Sequence, residues 1–443
     1  MKTACIISLG CARNLVDSEV LTGSLKECGF KILPEGEDAD LYVINTCSFI
    51  ENARKESVDT ILEVSGMKKE GKTRHIVVTG CLPQLYKDGI GKALPEVDLF
   101  LGTSDFHRIK DFLNDINAGN QEKEISCDPN FLYDENSPRF LLTPRHYAYI
   151  KISEGCSNFC SYCIISDLRG TFRSRTIESI EKEYKELSSG TLLKEINLIG
   201  QDTTLYGIDR YGKLKLPELL KRLDKIESSV RWIRLLYTHP AHYSDELIKA
   251  IKSSRKICGY LDIPIQHISD KILKAMNRHT SKKDVISLVG KLRKNIPGVA
   301  LRTSIIVGFP GETEKDFSEL LDFLREARFE RLGAFTYSRE EGTKAASLKG
   351  HVNEKVKKER LDRLMKLQRS ISEETNAGYI GKVIKVLVDE KGGEEGLYIG
   401  RSEHDAPEVD GSVYIKGRGI KVGGFCDVKI TSSSDYDLAG ELI

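Results

Sequence analysis

Short apolar runs alternate with polar, helix-forming stretches over the first 127 residues of the chain. Short apolar runs of this kind are typical of buried strands, and strands that alternate with helices indicate a parallel, doubly wound sheet. Four runs follow the pattern, and they read TACIISLG, DLYVINT, HIVVTG and VDLFLGT. We therefore predict an N-terminal α/β domain over residues 1–127.

The same alternation resumes after residues 128–145, a proline-containing segment without clear periodicity that we interpret as a linker. Six further apolar runs lie between residues 146 and 375, and they read HYAYIKI, EINLIGQ, WIRLLYTH, YLDIPIQ, ALRTSIIVGF and RLGAFTYS. Six β/α units predict an open, partial barrel, since eight are needed to close one. A charged helix with a sparse apolar stripe is predicted over 353–377.

From residue 378 the sequence pattern changes to short β-strand-like runs separated by glycines. This pattern predicts a small antiparallel β-barrel over 378–443. The predicted fold class is thus α/β, with a doubly wound domain, a partial (β/α)6 barrel and a C-terminal β-barrel. Residues 376–443 carry eight Lys or Arg against twelve Asp or Glu. An acidic module should repel RNA and attract a basic protein, although this charge could also serve solubility alone.

Charge and hydropathy over the whole chain exclude some classes of protein. The 67 basic and 66 acidic residues nearly cancel, so no global field favours nucleic acid. The run MKTACIISLGC is too short for a signal peptide, and no stretch is apolar enough to span a membrane. We expect a cytoplasmic protein without a membrane partner, whose eleven cysteines are reduced and bind metal or do chemistry.

Three cysteines lie close together just after the first predicted barrel strand, in the run GCSNFCSYC. We call Cys156, Cys160 and Cys163 the loop trio. Ordinary [4Fe–4S] clusters are closed by four thiolates, so three would leave one iron open to another ligand. Structural zinc is the alternative, but it usually takes four ligands in two pairs, and no second pair follows.

Three other cysteines each follow a predicted strand of the N-terminal sheet. We call Cys11, Cys47 and Cys81 the N-terminal trio. Ligands of open α/β sheets bind beyond the carboxyl ends of the strands, so we expect these thiols to converge on one crevice. The alternative is that each is an isolated buried thiol. We predict a second [4Fe–4S] cluster here.

The spacing CSNFCSYC after the first strand of a partial barrel resembles that of the radical S-adenosylmethionine (SAM) superfamily. The N-terminal three-cysteine domain, and a C-terminal barrel that resembles a TRAM domain, narrow the resemblance to the methylthiotransferases. The resemblance implies that SAM chelates the open iron and is cleaved reductively to methionine and a 5′-deoxyadenosyl radical. Such chemistry suits a carbon whose hydrogen is not acidic, because the cofactor supplies the difficult step.

Within this family, the segments 153–175 and 400–411 resemble the branch that methylthiolates the β-carbon of an aspartate of ribosomal protein uS12. The implied partners are uS12, a reducing electron donor and a sulfur source. We expect uS12 to dock on the acidic C-terminal barrel, through Glu403, Asp405, Glu408 and Asp410. The alternatives are the branch that modifies adenosine in tRNA and a non-catalytic two-cluster electron carrier.

Six residues at or near barrel strand ends are candidates for contact with SAM, while no catalytic residue is assigned. They are Tyr162, Gln201, Asp202, Arg302, Ile305 and Gly308. The tyrosine and the fifth strand match positions that the family places beside the adenine, and a glycine lets backbone approach a ligand closely. In the alternatives, the tyrosine packs over the cluster, the second-strand residues are ordinary loop residues and the arginine forms a structural ion pair.

The remaining cysteines have no partners at metal spacing, and we interpret them as core or incidental residues; they are Cys5, Cys28, Cys127, Cys258 and Cys426. His239 and His267 follow the third and fourth barrel strands. We interpret them as core or loop residues, and the alternative is that they line the site.

Overall fold

A computed structural model of the chain describes residues 2–118 and 129–443. The backbone forms two compact units. The first unit comprises residues up to Leu142 together with 153–159 and 163–175, and the second comprises 143–152, 160–162 and 176–443. Cys127 and the boundary expected at residues 127–128 lie outside the described residues.

Strands and helices follow one another along the chain with the bounds given next. The strands are β1 (Thr3–Ser8), β2 (Lys31–Leu33), β3 (Leu41–Thr46), β4 (His75–Gly80), β5 (Leu99–Leu101), β6 (Tyr147–Lys151), β7 (Ser153–Glu154), β8 (Arg173–Ser174), β9 (Glu195–Ile199), β10 (Trp232–Leu235), β11 (Ile257–Asp262), β12 (Ala300–Val307), β13 (Arg331–Thr336), β14 (Val383–Lys391), β15 (Leu397–Ser402), β16 (Val413–Lys416), β17 (Phe425–Ser433) and β18 (Leu438–Leu442). The helices are α1 (Ala12–Glu27), α2 (Glu51–Lys69), α3 (Cys81–Tyr86), α4 (Ile90–Ala93), α5 (Ile109–Ala118), α6 (Ile165–Arg169), α7 (Ile177–Leu187), α8 (Ile208–Tyr211), α9 (Leu216–Asp224), α10 (Asp245–Ser253), α11 (Asp270–Ala275), α12 (Lys282–Asn295), α13 (Glu314–Ala327) and α14 (Glu354–Ala377).

The first unit contains a parallel sheet with the strand order β2-β1-β3-β4-β5. This order is that of a doubly wound sheet, as predicted. All six residues of the central strand β3 are buried, which accounts for its nearly continuous apolar run. The short edge strand β2, with only three residues, was not predicted.

The first unit also contains the segment that carries two cysteines of the loop trio. Strands β7 and β8 pair as a short antiparallel hairpin, and α6 lies between them in sequence. Gly155 after β7 has a φ of +75°, and a Cβ there would lie 2.1 Å from the carbonyl oxygen of Thr171. Ile164 and Leu168 of this segment pack against Cys81, so the N-terminal trio contacts the chain just after Cys163.

The second unit contains six parallel strands in the order β13-β12-β11-β10-β9-β6, the partial barrel that the sequence predicts. Helix α14 coincides with the charged helix expected over 353–377. The side chain of Asn353 caps its first turn, and Leu364 and Ile371 are its buried stripe. The amide of Gln368 donates to the carbonyl of Phe329 beside β13.

The C-terminal strands form a closed five-stranded barrel in the order β14-β15-β16-β18-β17. Its pairs are antiparallel except for β16 with β18, which run parallel. Strand β18 was not predicted. No helix in the described ranges is long and apolar enough to cross a membrane.

Acidic residues between β15 and β16 face the amino-terminal ends of the (β/α) strands within the second unit. Asp405 is 2% exposed and pairs with Arg331 at 2.6 Å. Asp410 accepts a hydrogen bond from the hydroxyl of Tyr260 at 2.7 Å and lies 3.4 Å from Arg302. These carboxylates are therefore neutralised inside the protein.

The two exposed acids of this segment, Glu403 and Glu408, also contact strands of the partial (β/α) barrel. Glu403 accepts a hydrogen bond from the backbone of Gly259, and Glu408 accepts one from the hydroxyl of Tyr147. Asp405 and Asp410 are therefore not available to a basic protein, and the assignment of these two residues to a docking surface is wrong. Docking of the substrate elsewhere on the C-terminal barrel stays a prediction. Sequence alone showed an excess of acids but not the arginines that they meet.

Candidate functional site

The N-terminal trio lies at the carboxyl ends of three neighbouring parallel strands. Cys11 follows β1, Cys47 follows β3 and Cys81 follows β4. The registers align Ser8 with Asn45 and Thr46 with Gly80, so the three strands end at nearly the same level. The fold thus brings together three cysteines that are far apart in sequence.

Two glycines permit the close packing of this crevice. Gly10 has a φ of +91°, and a Cβ there would lie 3.0 Å from Sγ of Cys47. Gly80 has a φ of +96°, and its Cβ would lie 2.3 Å from Oδ1 of Asn45. Neither position accommodates a side chain without strain, because both φ values are left-handed as well.

A buried asparagine ties the strand ends together. The amide nitrogen of Asn14 donates to the carbonyls of Leu9 at 3.0 Å and Thr46 at 2.9 Å. Its Oδ1 accepts a hydrogen bond from Nη2 of Arg169 at 2.5 Å and lies 4.0 Å from Sγ of Cys81. Asn14 therefore fixes both the backbone around the trio and the arginine beside it.

Arg169, the last residue of α6, places a fully buried cation beside the N-terminal trio. It is 2% exposed and pairs with Asp17 at 2.9 Å and with Glu154 at 3.1 Å. Both carboxylates are buried, so the network satisfies three charges that would each be costly alone. Arg169 could not be predicted as a site residue from the sequence, because no local pattern distinguishes it from its neighbours.

The three thiols differ in acidity although they share one crevice. Burial raises the pKa of Cys81 to about 12 and also raises the pKa of Cys47. Burial opposes ionisation of Cys11 too, but the positive charges of Arg13 and Arg169 hold its pKa below the usual value. Positive charge beside buried thiols favours their thiolate, the form that ligates metal.

The loop trio is divided between the two compact units, with Cys156 and Cys163 in the first and Cys160 in the second. In the first, the N–H of Cys156 donates to the carbonyl of Gly170 at 3.1 Å. In the second, Nη1 of Arg278 lies 3.6 Å from Sγ of Cys160. A buried arginine therefore lies beside Cys160 as well.

Both cysteine sets suit an iron–sulfur cluster by the chemistry of their donors. None of the ten cysteines in the described part of the chain forms a disulfide, so every candidate ligand keeps its sulfur for a metal. Each trio offers three soft thiolate donors, and each has a buried guanidinium near it that compensates negative charge. The residues present thus fit the clusters that the sequence predicts.

An apolar wall forms at the carboxyl end of the barrel in the second unit. Tyr162 and Ile306 pack against buried residues of α11 and the β12–α13 turn. Along β12, the residues Arg302, Ser304 and Ile306 are half-buried, whereas the alternating residues are buried. Ile305 is 0% exposed and lies on the opposite face from Arg302. We therefore correct the candidate from Ile305 to Ile306.

Arg302 and Gly308 have partners within the protein. Arg302 pairs with Asp262 at 3.0 Å and with Asp410, which favours the structural ion pair over a contact with SAM. Gly308 has a φ of +74°, and a Cβ there would lie 2.3 Å from Cγ of Lys357. The need for glycine at position 308 therefore arises from the approach of α14.

Asp202 ends the turn after β9 and is almost completely buried. Its Oδ1 accepts hydrogen bonds from the backbone and hydroxyl of Thr204, and its Oδ2 lies 2.9 Å from Nδ1 of His242. Although burial opposes ionisation, these partners hold the pKa of Asp202 at about 2. The neighbouring Gln201 is half-buried. The predicted contacts of both residues with SAM stay predictions.

Asp202, His239 and His242 place three ligand atoms within 4.8 Å of one another, a spacing that could hold a metal ion. Nδ1 of His239 accepts a hydrogen bond from the N–H of Ala241, so Nε2 of this neutral ring carries the proton. Burial lowers the pKa of His239 to about 2, which keeps the ring neutral. We read the group as a hydrogen-bond network.

A buried glutamate on the turn after β12 was also missed. Glu312 accepts hydrogen bonds from the backbone of Gly308 at 2.7 Å and pairs with Arg360 at 2.8 Å. Burial raises the pKa of Glu312 to about 7, although Arg360 and the backbone donors oppose the shift. Glu312 lies four residues after Gly308 in the sequence. This spacing is the signal from which a turn closed by the glutamate could have been predicted.

Three family models match the chain, and together they define its class. The Radical SAM superfamily matches residues 150–324, the Uncharacterized protein family UPF0004 matches residues 3–102, and the TRAM domain matches residues 380–443. The solved structure of the radical SAM methyltransferase TsrM from Kitasatospora setae superposes with a TM-score of 0.57 at 14% identity. It covers 75% of this chain and 73% of that chain, which supports the fold.

Two curated relatives are similar over nearly their full length. Ribosomal protein uS12 methylthiotransferase RimO of Geotalea uraniireducens is 47% identical over 99% of this chain and 98% of its own length. The same enzyme of Heliobacterium modesticaldum is 48% identical over 99% and 94%. The chain belongs to the RimO family of ribosomal protein uS12 methylthiotransferases. The predicted SAM-dependent transferase class, with SAM and [4Fe–4S] cofactors, is confirmed, and the tRNA branch is not favoured.

Proposed function

We propose that this protein adds a methylthio group to the β-carbon of an aspartate of ribosomal protein uS12. The observation that carries the proposal is the pair of cysteine trios, each with three thiols and a buried arginine, in a chain of the RimO family. The loop trio would hold a [4Fe–4S] cluster, which would supply the electron that cleaves SAM. The protein's own residues hold, orient and shield these groups.

The ligands that we propose are the two trios. The loop trio (Cys156, Cys160 and Cys163) would hold the cluster that binds SAM, and the N-terminal trio (Cys11, Cys47 and Cys81) would hold a second cluster that receives the sulfur. The convergence of β1, β3 and β4 supports the second assignment. A reducing electron donor and a source of sulfur are required partners under this proposal.

The residues proposed to contact SAM lie at the carboxyl end of the barrel. Tyr162 and Ile306 would form the apolar side against the adenine, since they pack in one cluster. Gln201 and Asp202, after β9, would contact the polar end of the cofactor, and the backbone at Gly308 would line its edge. We do not include Arg302 among these residues, because its charge is already paired with Asp262 and Asp410.

The domain division that we propose keeps the N-terminal domain at 1–127, the linker at 128–145, the radical SAM domain at 146–375 and the TRAM-like barrel at 378–443. The three family matches fall inside these ranges, which supports the division. We place the protein in the cytoplasm, where its ribosomal substrate is made.

Mass spectrometry of cells with and without this protein tests the proposal. We expect one aspartate of uS12 to gain a methylthio group in place of hydrogen only when the protein is present. A Cys160→Ala chain is the matched control and should leave uS12 unmodified. Modification of tRNA instead of uS12 would overturn the substrate, and unmodified uS12 in both strains would overturn the activity.

A further inference from the structure

The loop around Cys160 is anchored by the end of one short helix in the second unit. The N–H of Ser161 donates to the carbonyl of Met276 at 3.0 Å, and its hydroxyl donates to the carbonyl of Ala275 at 2.8 Å. The carbonyl of Ser161 accepts a hydrogen bond from the N–H of Ala345 at 2.7 Å. Helix α11 thus holds Cys160 through its own last carbonyls.

The same helix end directs Arg278 toward the cysteine. Asn277 has a φ of +56°, its N–H donates to the carbonyl of Lys274, and the N–H of Arg278 donates to the carbonyl of Leu273. This pair of bonds with a left-handed residue is a Schellman motif, which stops the helix and fixes the chain that follows. The backbone of Arg278 is therefore set by the helix that holds Cys160.

The guanidinium of Arg278 is fixed at both of its terminal nitrogens. Nη2 donates to the carbonyl of Pro264 at 2.5 Å, while Nη1 lies 3.6 Å from Sγ of Cys160. The side chain is 9% exposed, and its buried Nε has no acceptor among the described residues. A planar fork can make both contacts at once, whereas a lysine can offer only a point charge.

We infer that Arg278 is a positioning residue that raises the reduction potential of the cluster on the loop trio. Reduction adds one electron, taken from an external low-potential donor, and so one negative charge to the cluster and its thiolates. A buried cation and an N–H···S bond stabilise that added charge, and such bonds are among the factors that set these potentials. The inference rests on the proposed ligand role of Cys156, Cys160 and Cys163.

The test is a redox titration followed by electron paramagnetic resonance on the anaerobically reconstituted full-length chain. All variants carry Cys47→Ala, so that the loop trio supplies the remaining signal. Arg278→Gln should make reduction roughly tenfold less favourable, which corresponds to about 59 mV for one electron. Arg278→Lys should fall between it and the parent, because it keeps the charge without the fork. Lys274→Gln, an exposed change on the same helix, should leave the potential unmoved.

The possible failures are distinguishable. A parent protein without any cluster signal would overturn the proposed ligand role of the loop trio, and the inference with it. A normal cluster whose potential is the same in Arg278→Gln and Lys274→Gln would overturn the inference alone. Loss of iron from both Arg278 variants, with normal circular dichroism, would show that the arginine retains the cluster and does not tune it.

Discussion

The N-terminal trio and the loop trio each supply three thiols, but they do so through different kinds of structure. In the N-terminal trio, Cys11, Cys47 and Cys81 come from three strands, and their positions depend on the register of the whole sheet. The cysteines of the loop trio lie within eight residues of one another, and all three are half-buried. One site therefore takes its cysteines from three strands of a sheet, and the other takes them from a single loop.

The difference extends to how each trio is supported. A deep polar network of Asn14, Arg169, Asp17 and Glu154 surrounds the N-terminal trio. At the loop trio, the segment of Cys160 is anchored by the end of helix α11, and Arg278 lies beside the cysteine. Changes far away in sequence should therefore damage the N-terminal trio through its strands, and the loop trio through the end of helix α11.

The largest effect should come from removing one ligand of each trio in turn. The reconstituted wild type should hold about eight irons per chain, and either Cys47→Ala or Cys160→Ala should reduce this to about four. Cys160→Ala should abolish both SAM cleavage and methylthio transfer. Cys47→Ala should retain SAM cleavage and abolish transfer, because the second cluster serves the sulfur. Iron assays and product chromatography measure these outcomes.

Cys28→Ala is the matched control, since Cys28 is exposed and belongs to neither trio. It should keep the full iron content and both activities. If Cys47→Ala lost SAM cleavage while its loop cluster was intact, the division of roles between the trios would be wrong.

The second effect concerns Arg169, which should matter to the N-terminal trio more than to stability alone. Arg169→Gln removes the buried cation that pairs with the carboxylates of Asp17 and Glu154. Breaking a buried ion pair in this way costs about 3–5 kcal/mol of the free energy of unfolding. We expect a lower urea midpoint for the apoprotein and loss of about half the iron on reconstitution.

Arg139→Gln separates stability from cluster support. Arg139 pairs with the fully buried Glu19 at 2.5 Å in the same unit. It should destabilise the apoprotein to a similar degree and retain the iron. Equal loss of iron from both variants would reduce the role of Arg169 to general stability.

The sheets and the cysteine positions could be predicted from the sequence because strand-to-helix alternation is a local signal. Cys11, Cys47 and Cys81 follow apolar runs, and the rule that parallel strands share a carboxyl edge brings them together. Strand β2, with three residues, carries too little pattern to detect. Strand β18 contains a glycine and pairs in parallel with β16, which local reading does not anticipate.

The interactions between distant segments could not be predicted. From the sequence alone, Asp410 cannot be distinguished from a surface charge. Its partners Arg302 and Tyr260 come from distant strands of the (β/α) barrel. Arg169 and Arg278 have no local signature, because their partners come from other parts of the fold. The choice of Ile305 over Ile306, by contrast, could have been tested on the sequence. Side chains alternate between the two faces of a strand, so Ile306 shares the face of Arg302 and Ile305 does not.

A third effect concerns the glycine that ends β4 beside Cys81. Gly80→Ala would force a side chain to within 2.3 Å of Oδ1 of Asn45 at a left-handed φ. Strain and overpacking together should cost about 2–4 kcal/mol, with impaired reconstitution of the N-terminal trio. Gly66→Ala, a helical glycine with open space around it, should stabilise the apoprotein by roughly 0.5–1 kcal/mol. Urea unfolding and iron analysis measure both, and an unstrained Gly80→Ala protein with full iron would contradict the packing argument.

The smallest effect compares one serine at each trio. The hydroxyl of Ser57 accepts from the N–H of Cys47 at 3.1 Å and donates to its carbonyl at 2.8 Å. Ser161 anchors the loop trio through its hydroxyl but also through two backbone bonds that substitution leaves intact. Ser57→Ala should therefore cost about 1 kcal/mol and speed iron release from the N-terminal trio, while Ser161→Ala should have a weaker effect on the loop trio.

Ser65→Ala on the same helix as Ser57 is the control, because its hydroxyl bonds only within that helix. Iron release to a chelator, followed in Cys47→Ala and Cys160→Ala backgrounds, assigns each loss to a trio. If Ser57→Ala released iron no faster than Ser65→Ala, the N-terminal site would tolerate loss of a direct contact, contrary to its dependence on tertiary support.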